Sequence, residues 1–312
     1  MEESIHLTVQ KRIGVVKHTV NEIRSVIEDA RAKKIGAIDL AFNIWELAIL
    51  PMLLYNAESW LSMSKKTLKL LDNLFHWFCQ KIYRVGVGCP IPNFYWQSAS
   101  LKFSILILQK KLNFVHHLAN LSPHTLGRQF FDIQVEKSIG IYREVEEHLG
   151  AIGVSDLRSV TKHHWKKTVR KYTVNLNKSQ LLDDIRKYKK MKYDELVNEP
   201  FERKSYLSEL SLENARMRFR ASCNLVQTVR TDFKRKYQGK SLACPGCSAN
   251  SIASSGVNSR PRSQSQPDSL PHILVCESYS DLQDPDFDPN DDKMLAEFFI
   301  KVVNRRIEQG ED

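Results

Sequence analysis

The sequence predicts a mainly α fold: a helical bundle to about residue 150, a basic helical region after it, and a small metal-binding module near the C-terminus. Three observations carry this. Apolar residues recur at steps of three and four along several stretches, as on the buried face of a helix. Residues 158–240 hold 22 Lys/Arg against nine Asp/Glu, a net of +13 within a chain of +10. Finally, Cys244-Pro-Gly-Cys247 and His272-Ile-Leu-Val-Cys276 place four nitrogen and sulfur donors at metal-ligand spacing.

The first element has Val9, Ile13, Val16, Val20, Ile23 and Ile27 on one seam, running to about residue 34, with Gly36 as its stop. The seam suits an arm packed on the next elements, or a short dimerising coil. Residues 39–82 follow as a helical hairpin. Its first half is apolar nearly all round, and Pro51 should bend or break it, because proline removes a helix hydrogen bond and clashes with the preceding turn. The window 40–61 has the length of a membrane span but contains Asn43, Glu46, Asn56 and Glu58, which argues against one. Its second half repeats Leu68, Leu71, Phe75, Phe78 and Ile82, with Ser64 placed to cap the first turn.

Residues 84–92 read as a loop. Gly86 and Gly88 lack the third glycine, the Lys-Ser/Thr pair and the preceding strand of a phosphate loop. A helix is expected over 98–121 with Leu108, Leu112, Val115 and Leu118 inward. His116 and His117 are adjacent, so they face different sides of it and cannot share one metal. Another helix is expected over 135–149, with Ile139, Tyr142, Val145 and Leu149 inward. Gly150 and Gly153 then mark a soft domain boundary.

In the basic segment, cations alternate with aromatics: His163-His-Trp-Lys-Lys167, Arg170-Lys-Tyr172 and Arg186-Lys-Tyr-Lys-Lys190. Lys and Arg neutralise phosphates, and exposed rings stack on bases. The candidate contacts are Trp165, Lys166, Lys167, Arg170, Lys171, Tyr172, Lys189, Lys190, Lys234 and Arg235. The same pattern also suits a solvated helical surface whose Trp and Tyr are core residues. Phe233-Lys-Arg-Lys-Tyr237 equally fits a nuclear-import patch. Asp183-Asp184 does not form a polymerase Tyr-x-Asp-Asp turn. The pair opens a helical pattern, where acids favour the first turn. No catalytic carboxylate constellation is found.

Two residues between thiolates let both reach one ion from a tight turn, and three between His and Cys put both on one face of a helical turn. A Cys244, Cys247, His272, Cys276 set closes a tetrahedral structural zinc site. The Cys-x-x-Cys pair alone is shared with redox motifs; the second pair favours zinc. Cys79, Cys89 and Cys223 stand apart as plain thiols. Residues 248–269, rich in Ser, Asn, Arg and Gln, read as a disordered insertion, which raises closure entropy only slowly. From residue 277 the charge inverts to 11 acidic against four basic residues. A linker at Asp284-Pro-Asp-Phe-Asp-Pro289 leads to a last amphipathic helix with Met294, Leu295, Phe298, Phe299 and Val302, an acidic tail suited to docking on the basic segment.

A chain of 312 residues with 42% hydrophobic residues can bury one large or two medium cores. Its pI of about 9.2 favours a polyanionic partner. The N-terminus lacks a secretory pattern, so the expected location is intracellular, nucleus or cytoplasm, with no membrane partner.

Two blocks also carry a resemblance. Trp45, Ile49-Leu-Pro-Met-Leu-Leu-Tyr55 and Glu58-Ser-Trp60 resemble the segment after the palm in non-LTR (LINE-type) retrotransposon reverse transcriptases, which helps build the thumb. Pro267-Asp-Ser-Leu-Pro-His-Ile-Leu-Val-Cys276 resembles the close of the Cys-rich C-terminus of the same elements, and Arg218-Phe-Arg…Asn224 the short helix leading into it. Asn56 stands where the family usually has glycine, and the 24 residues between the ligand pairs exceed the usual spacing. The glycine break and the charge shifts divide the chain into a helical domain (1–150), which the resemblance makes thumb-like, a basic helical region (151–240), a CCHC zinc motif (241–280) and an acidic linker with a terminal helix (281–312); the resemblance itself covers about residues 40–276. It also implies a polymerase domain upstream in the parent protein, and RNA or DNA as partner. Three readings follow: a non-catalytic C-terminal portion of such a reverse transcriptase that binds nucleic-acid backbone, a domesticated remnant acting as a protein-interaction scaffold, or an enzyme in its own right, which the absence of catalytic carboxylates argues against. Oligomeric state stays open.

Overall fold

The computed structural model describes residues 2–29, 35–86, 89–154, 156–188, 196–223 and 270–308. The fold among them is mainly helical, with no strand. The chain divides into two units. Unit 1 comprises Met1–Asp29, Ala41–Ile82 and Ile91–Arg203; unit 2 comprises Ala30–Leu40, Tyr83–Pro90 and Lys204–Asp312.

Unit 1 begins with α1 (Glu2–Asp29), whose Ile5, Val9, Val16, Val20 and Ile23 are buried. It packs on α3 (Leu50–Leu53), where Arg12 donates to the carbonyls of Leu53 (2.9 Å) and Tyr55 (2.8 Å). The seam is thus covered within the chain, as an arm would be. Helix α2 (Ala37–Ile44) runs into a π-turn, Trp45–Ile49, in which the Leu50 N–H reaches back to the Trp45 carbonyl. The cause is Pro51. It has no N–H to donate and its ring needs room beside the turn before it, so the helix widens ahead of the proline and resumes as α3. Asn56 then turns the chain in the left-handed region (φ +57°), which asparagine tolerates better than most residues.

Helix α4 (Lys65–Tyr83) is capped as expected, its Thr67 N–H donating to Ser64 Oγ at 3.2 Å. Leu71, Phe75, Phe78 and Ile82 are buried, and Trp45 stacks on Phe78 (4.5 Å between centroids). Asn43 and Glu46 receive the Arg203 guanidinium, which also donates to the Ser98 carbonyl. These polar groups inside an apolar run are the anchor for a distant cation. Among the described residues no helix is long and apolar enough to cross a membrane.

Helix α5 (Ile91–Ser98) replaces the expected loop end and helix start. Residues 92–98 are all buried, so the helix has no polar face and hence no periodicity. Helix α6 (Phe103–Ala119) buries Leu112 and Val115, with Leu108 and Leu118 at the core margin. The single helix expected over 135–149 is two: α7 (Leu126–Lys137) and α8 (Gly140–Ile152), separated by Ser138 at φ +46° and Gly140 at φ +61°. Gly153, at φ +78°, ends α8. Helix α9 (Lys162–Arg186) follows, and Trp165 and Val169 join Leu112, Val115, Phe131, Val145 and Leu149 in one core. The turn at residues 150–153 therefore lies inside unit 1. Asp183 and Asp184 lie in the last turn of α9, not in a first turn; Asp184 is held there by Lys102 and Lys187.

Unit 2 contains α10 (Tyr206–Glu209), α11 (Leu212–Ser222), α12 (Leu270–Val275), a 3-10 turn (Glu277–Leu282) and α13 (Asp292–Glu308). Helices α11 and α13 pack together, and the expected Leu295, Phe298, Phe299 and Val302 face is buried. Tyr83 stacks on Phe219 with centroids 3.7 Å apart. Gly36 (φ +76°) donates its N–H to the Leu210 carbonyl, and a Cβ there would meet the Ser208 carbonyl oxygen at 3.1 Å. Cys89 and Cys223, expected to stand apart, have their Sγ atoms 3.3 Å from each other.

Candidate nucleic-acid interface

Helix α9 positions the basic residues. Thr161 starts it, its hydroxyl accepting from the His164 N–H at 3.4 Å. One stripe at four-residue spacing is buried: Trp165, Val169, Thr173, Asn177, Leu181 and Ile185. Thr173 Oγ1 and Asn177 Oδ1 are hydrogen-bonded there, while the Asn177 Nδ2 has no partner among the described residues. Thr173 Oγ1 donates to the Val169 carbonyl (2.8 Å), and Asn177 Oδ1 accepts the Lys102 N–H (2.9 Å).

Beside and opposite that stripe lie Lys162, Lys166, Lys167, Arg170 and Lys171, all exposed. Among the described residues none of these five side chains has an ion pair or hydrogen bond. Lys162, Lys166 and Arg170 form one i, i+4 row; Lys167 and Lys171 form part of the next. Like charges at this spacing destabilise a helix by about 0.2–0.5 kcal/mol per pair. The arrangement therefore costs stability in isolation, a cost that a neighbouring polyanion would relieve.

The aromatic part of the expectation is corrected. Trp165 is 1% exposed and stacks on His116 with centroids 5.2 Å apart and planes 12° from parallel. Tyr172 is half-buried, and its Oη shares a 2.8 Å hydrogen bond with His148 Nδ1. Both rings fasten α9 to the bundle and neither is a free stacking platform. Burial, with Glu147 nearby, raises the Tyr172 hydroxyl above its usual pKa.

The structure also adds residues that the sequence pattern does not single out. Arg158 and Lys162 flank the start of α9 and, with Lys166, His116, His117 and Asn113, line a cleft of about 310 Å³. The signal for Lys162 was its position four residues before Lys166. His116 and His117 diverge as expected: His116 is buried with Nε2 bonded to the Val160 carbonyl (2.9 Å), and His117 is exposed.

Lys189, Lys190, Lys234 and Arg235 lie outside the described residues, as do Cys244 and Cys247 and the expected insertion at 248–269. Of the second expected zinc-ligand pair, His272 lies in α12, and Cys276 follows the end of that helix as a buried thiol with an extended backbone. Among the described residues no group of three or more metal-ligating side chains is assembled. No family model, curated protein or solved structure matches this chain.

Proposed function

We propose that the chain is a non-catalytic C-terminal portion of a non-LTR retrotransposon-derived reverse transcriptase, and that it holds RNA or DNA backbone on the exposed face of α9. The observation supporting this is the cluster Lys166, Lys167, Arg170 and Lys171, exposed and without a partner among the described residues. The two sequence blocks around Pro51 and Cys276 support the family reading, with a polymerase domain upstream in the parent protein as partner. With both aromatics occupied, the contact is electrostatic and insensitive to sequence. Cys244, Cys247, His272 and Cys276 hold a structural zinc ion that closes the C-terminal module.

The test is a salt titration of the full chain with single-stranded RNA. Affinity should fall linearly with log salt, and reversing Lys166, Lys167, Arg170 and Lys171 to Glu should reduce the slope by about one unit for each phosphate no longer neutralised. A flat titration, or one unmoved by the reversal, rejects the proposal in favour of a protein-interaction scaffold. For zinc, the purified chain should contain about one equivalent, as a single set of three thiolates and one imidazole requires. Unchanged metal content in Cys276→Ser would show the ligands to be misassigned.

A further inference from the structure

Two cysteines that stand apart in the sequence meet in the fold. The Sγ atoms of Cys89 and Cys223 lie 3.3 Å from each other across a sequence separation of 134. Cys89 is 4% exposed and Cys223 is fully buried. The backbone around each is held in place. Cys223 ends α11, and its N–H reaches the carbonyls of Phe219 and Arg220, each at 3.2 Å. The Cys89 N–H donates to the Gly86 carbonyl at 3.4 Å. The two stretches are also fastened to each other. Tyr83 stacks on Phe219, and Arg220 donates to the Arg84 carbonyl. All of these residues belong to unit 2.

Two thiols in contact, carried on backbones that are already tied together, are placed for oxidation to a disulfide. The bonded sulfurs of a disulfide are about 2.0 Å apart, so the remaining approach is shorter than one carbon–carbon bond. Exposure divides the roles. Only Cys89 presents any surface to an incoming oxidant, and a small one suits so narrow an opening. Cys223 lies behind it as the second sulfur. Cys79 supplies the contrast within the same chain. It is fully buried on α4, and burial pushes its thiol well above the ordinary range, which keeps it protonated and unreactive.

We propose that Cys89 and Cys223 form a redox pair that hydrogen peroxide converts to a disulfide, Cys89 reacting first and Cys223 resolving. In the first step the Cys89 sulfur attacks one peroxide oxygen. A sulfur–oxygen bond forms, the oxygen–oxygen bond breaks, and the departing hydroxide leaves as water with the thiol proton. Cys89 is then a sulfenic acid. In the second step the Cys223 sulfur attacks the Cys89 sulfur. The disulfide forms and the sulfenic oxygen departs as a second water with the Cys223 proton. The thiol pair loses two electrons and the peroxide gains them. The bond closes a loop that runs from α5 through α11 and includes α9. Closing so long a loop restricts the unfolded chain strongly and so stabilises the folded one. None of this depends on the nucleic-acid reading.

The experiment treats the reduced full chain with hydrogen peroxide at a dose that leaves its metal content unchanged. Remaining thiols are alkylated after unfolding, and the cysteine peptides are identified by mass spectrometry. A peptide joining Cys89 to Cys223 is expected, with Cys79 alkylated, and dithiothreitol should release the two halves. The oxidised chain should unfold at higher urea than the reduced one, and dithiothreitol should remove the difference. Cys223→Ala should leave Cys89 as a sulfenic acid that dimedone captures, and with more peroxide as a sulfinic acid. Cys89→Ala should leave Cys223 alkylatable. The wild-type chain alone already decides the matter if either variant fails to fold. The proposal is overturned if Cys89 and Cys223 stay alkylatable while other thiols are oxidised, or if Cys89 is joined instead to Cys244, Cys247 or Cys276. It also falls if the Cys89–Cys223 bond forms but leaves the urea midpoint unchanged or lower, since the native fold then does not accommodate it.

Discussion

Two helices of the basic segment, α9 and α11, carry arginines and lysines at similar density and treat them in opposite ways. On α11, Arg216 is buried, Arg218 pairs with Asp292 while lying over the Tyr206 ring, and Arg220 donates to the Arg84 carbonyl at 3.0 Å. On α9, Lys162, Lys166, Lys167, Arg170 and Lys171 face solvent without partners among the described residues. The difference lies in what surrounds each helix. Helix α13 brings an acidic first turn against α11, whereas the packed face of α9 meets an apolar core and leaves its cations outside it. Net charge therefore counts cations without saying which remain available to a phosphate. Pairing and burial decide that.

The largest effect expected comes from removing what holds each helix in place. Trp165→Ala deletes a fully buried ring and should cost about 3–5 kcal/mol, read by chemical denaturation of the full chain. Phe219→Ala, on α11 and stacked on Tyr83, should cost a similar amount on the same scale. RNA affinity should follow the first substitution and ignore the second wherever the rest of the chain stays folded. Equal reductions of affinity from both would erase the distinction between the helices.

A smaller effect separates a structural cation from a binding one. The Arg218–Asp292 pair is about a quarter to a third exposed, so Arg218→Ala should cost only about 1 kcal/mol. It should not move the salt slope of RNA binding. A slope change like that of Lys167→Ala would place α11 in the interface.

The acid range tests the paired end of α9. Burial acts to raise the Asp184 carboxyl, but hydrogen bonds and charge from Lys102 and Lys187 outweigh it and leave the pKa below its ordinary 3.8. A depressed folded-state pKa stabilises above 3.8, and that contribution is lost as pH falls below 3.8 through the folded value. Asp184→Asn should remove that part of the acid dependence. An unchanged stability-against-pH curve would show that the pair does not contribute.

How much of this was legible in the sequence depended on whether a side chain's role leaves a pattern. Phe75, Phe78 and Ile82 announced α4 because its other face is wet. Helix α5, buried on every side, gave no alternation to read. The split between α7 and α8 turns on one non-glycine residue, Ser138, in the left-handed region, which composition does not reveal. The cations of α9 were visible individually. The fate of Trp165 was not, because a ring among lysines reads the same whether it faces a base or a core. Asn113 and Arg158 gave no joint signal, since nothing local links residues 45 positions apart across a cleft.

The smallest expected effect has the most informative sign. Arg170 lies four residues after Lys166 and three after Lys167, so it repels two neighbours on the same helix face. Arg170→Gln keeps a comparable helix propensity and removes both repulsions, which should raise the stability of the chain at low salt by about 0.4–1 kcal/mol. Screening should erase that gain near 1 M salt. RNA binding should move the other way, weakening on every sequence with a salt slope smaller by about one unit. A residue retained for folding would lose stability on substitution, and a merely solvated one would gain the same stability with no change in RNA binding. Opposite signs in stability and affinity are expected only where charge repulsion is tolerated for a polyanion, so a stability loss in Arg170→Gln at low salt would remove the physical argument for α9 as the interface.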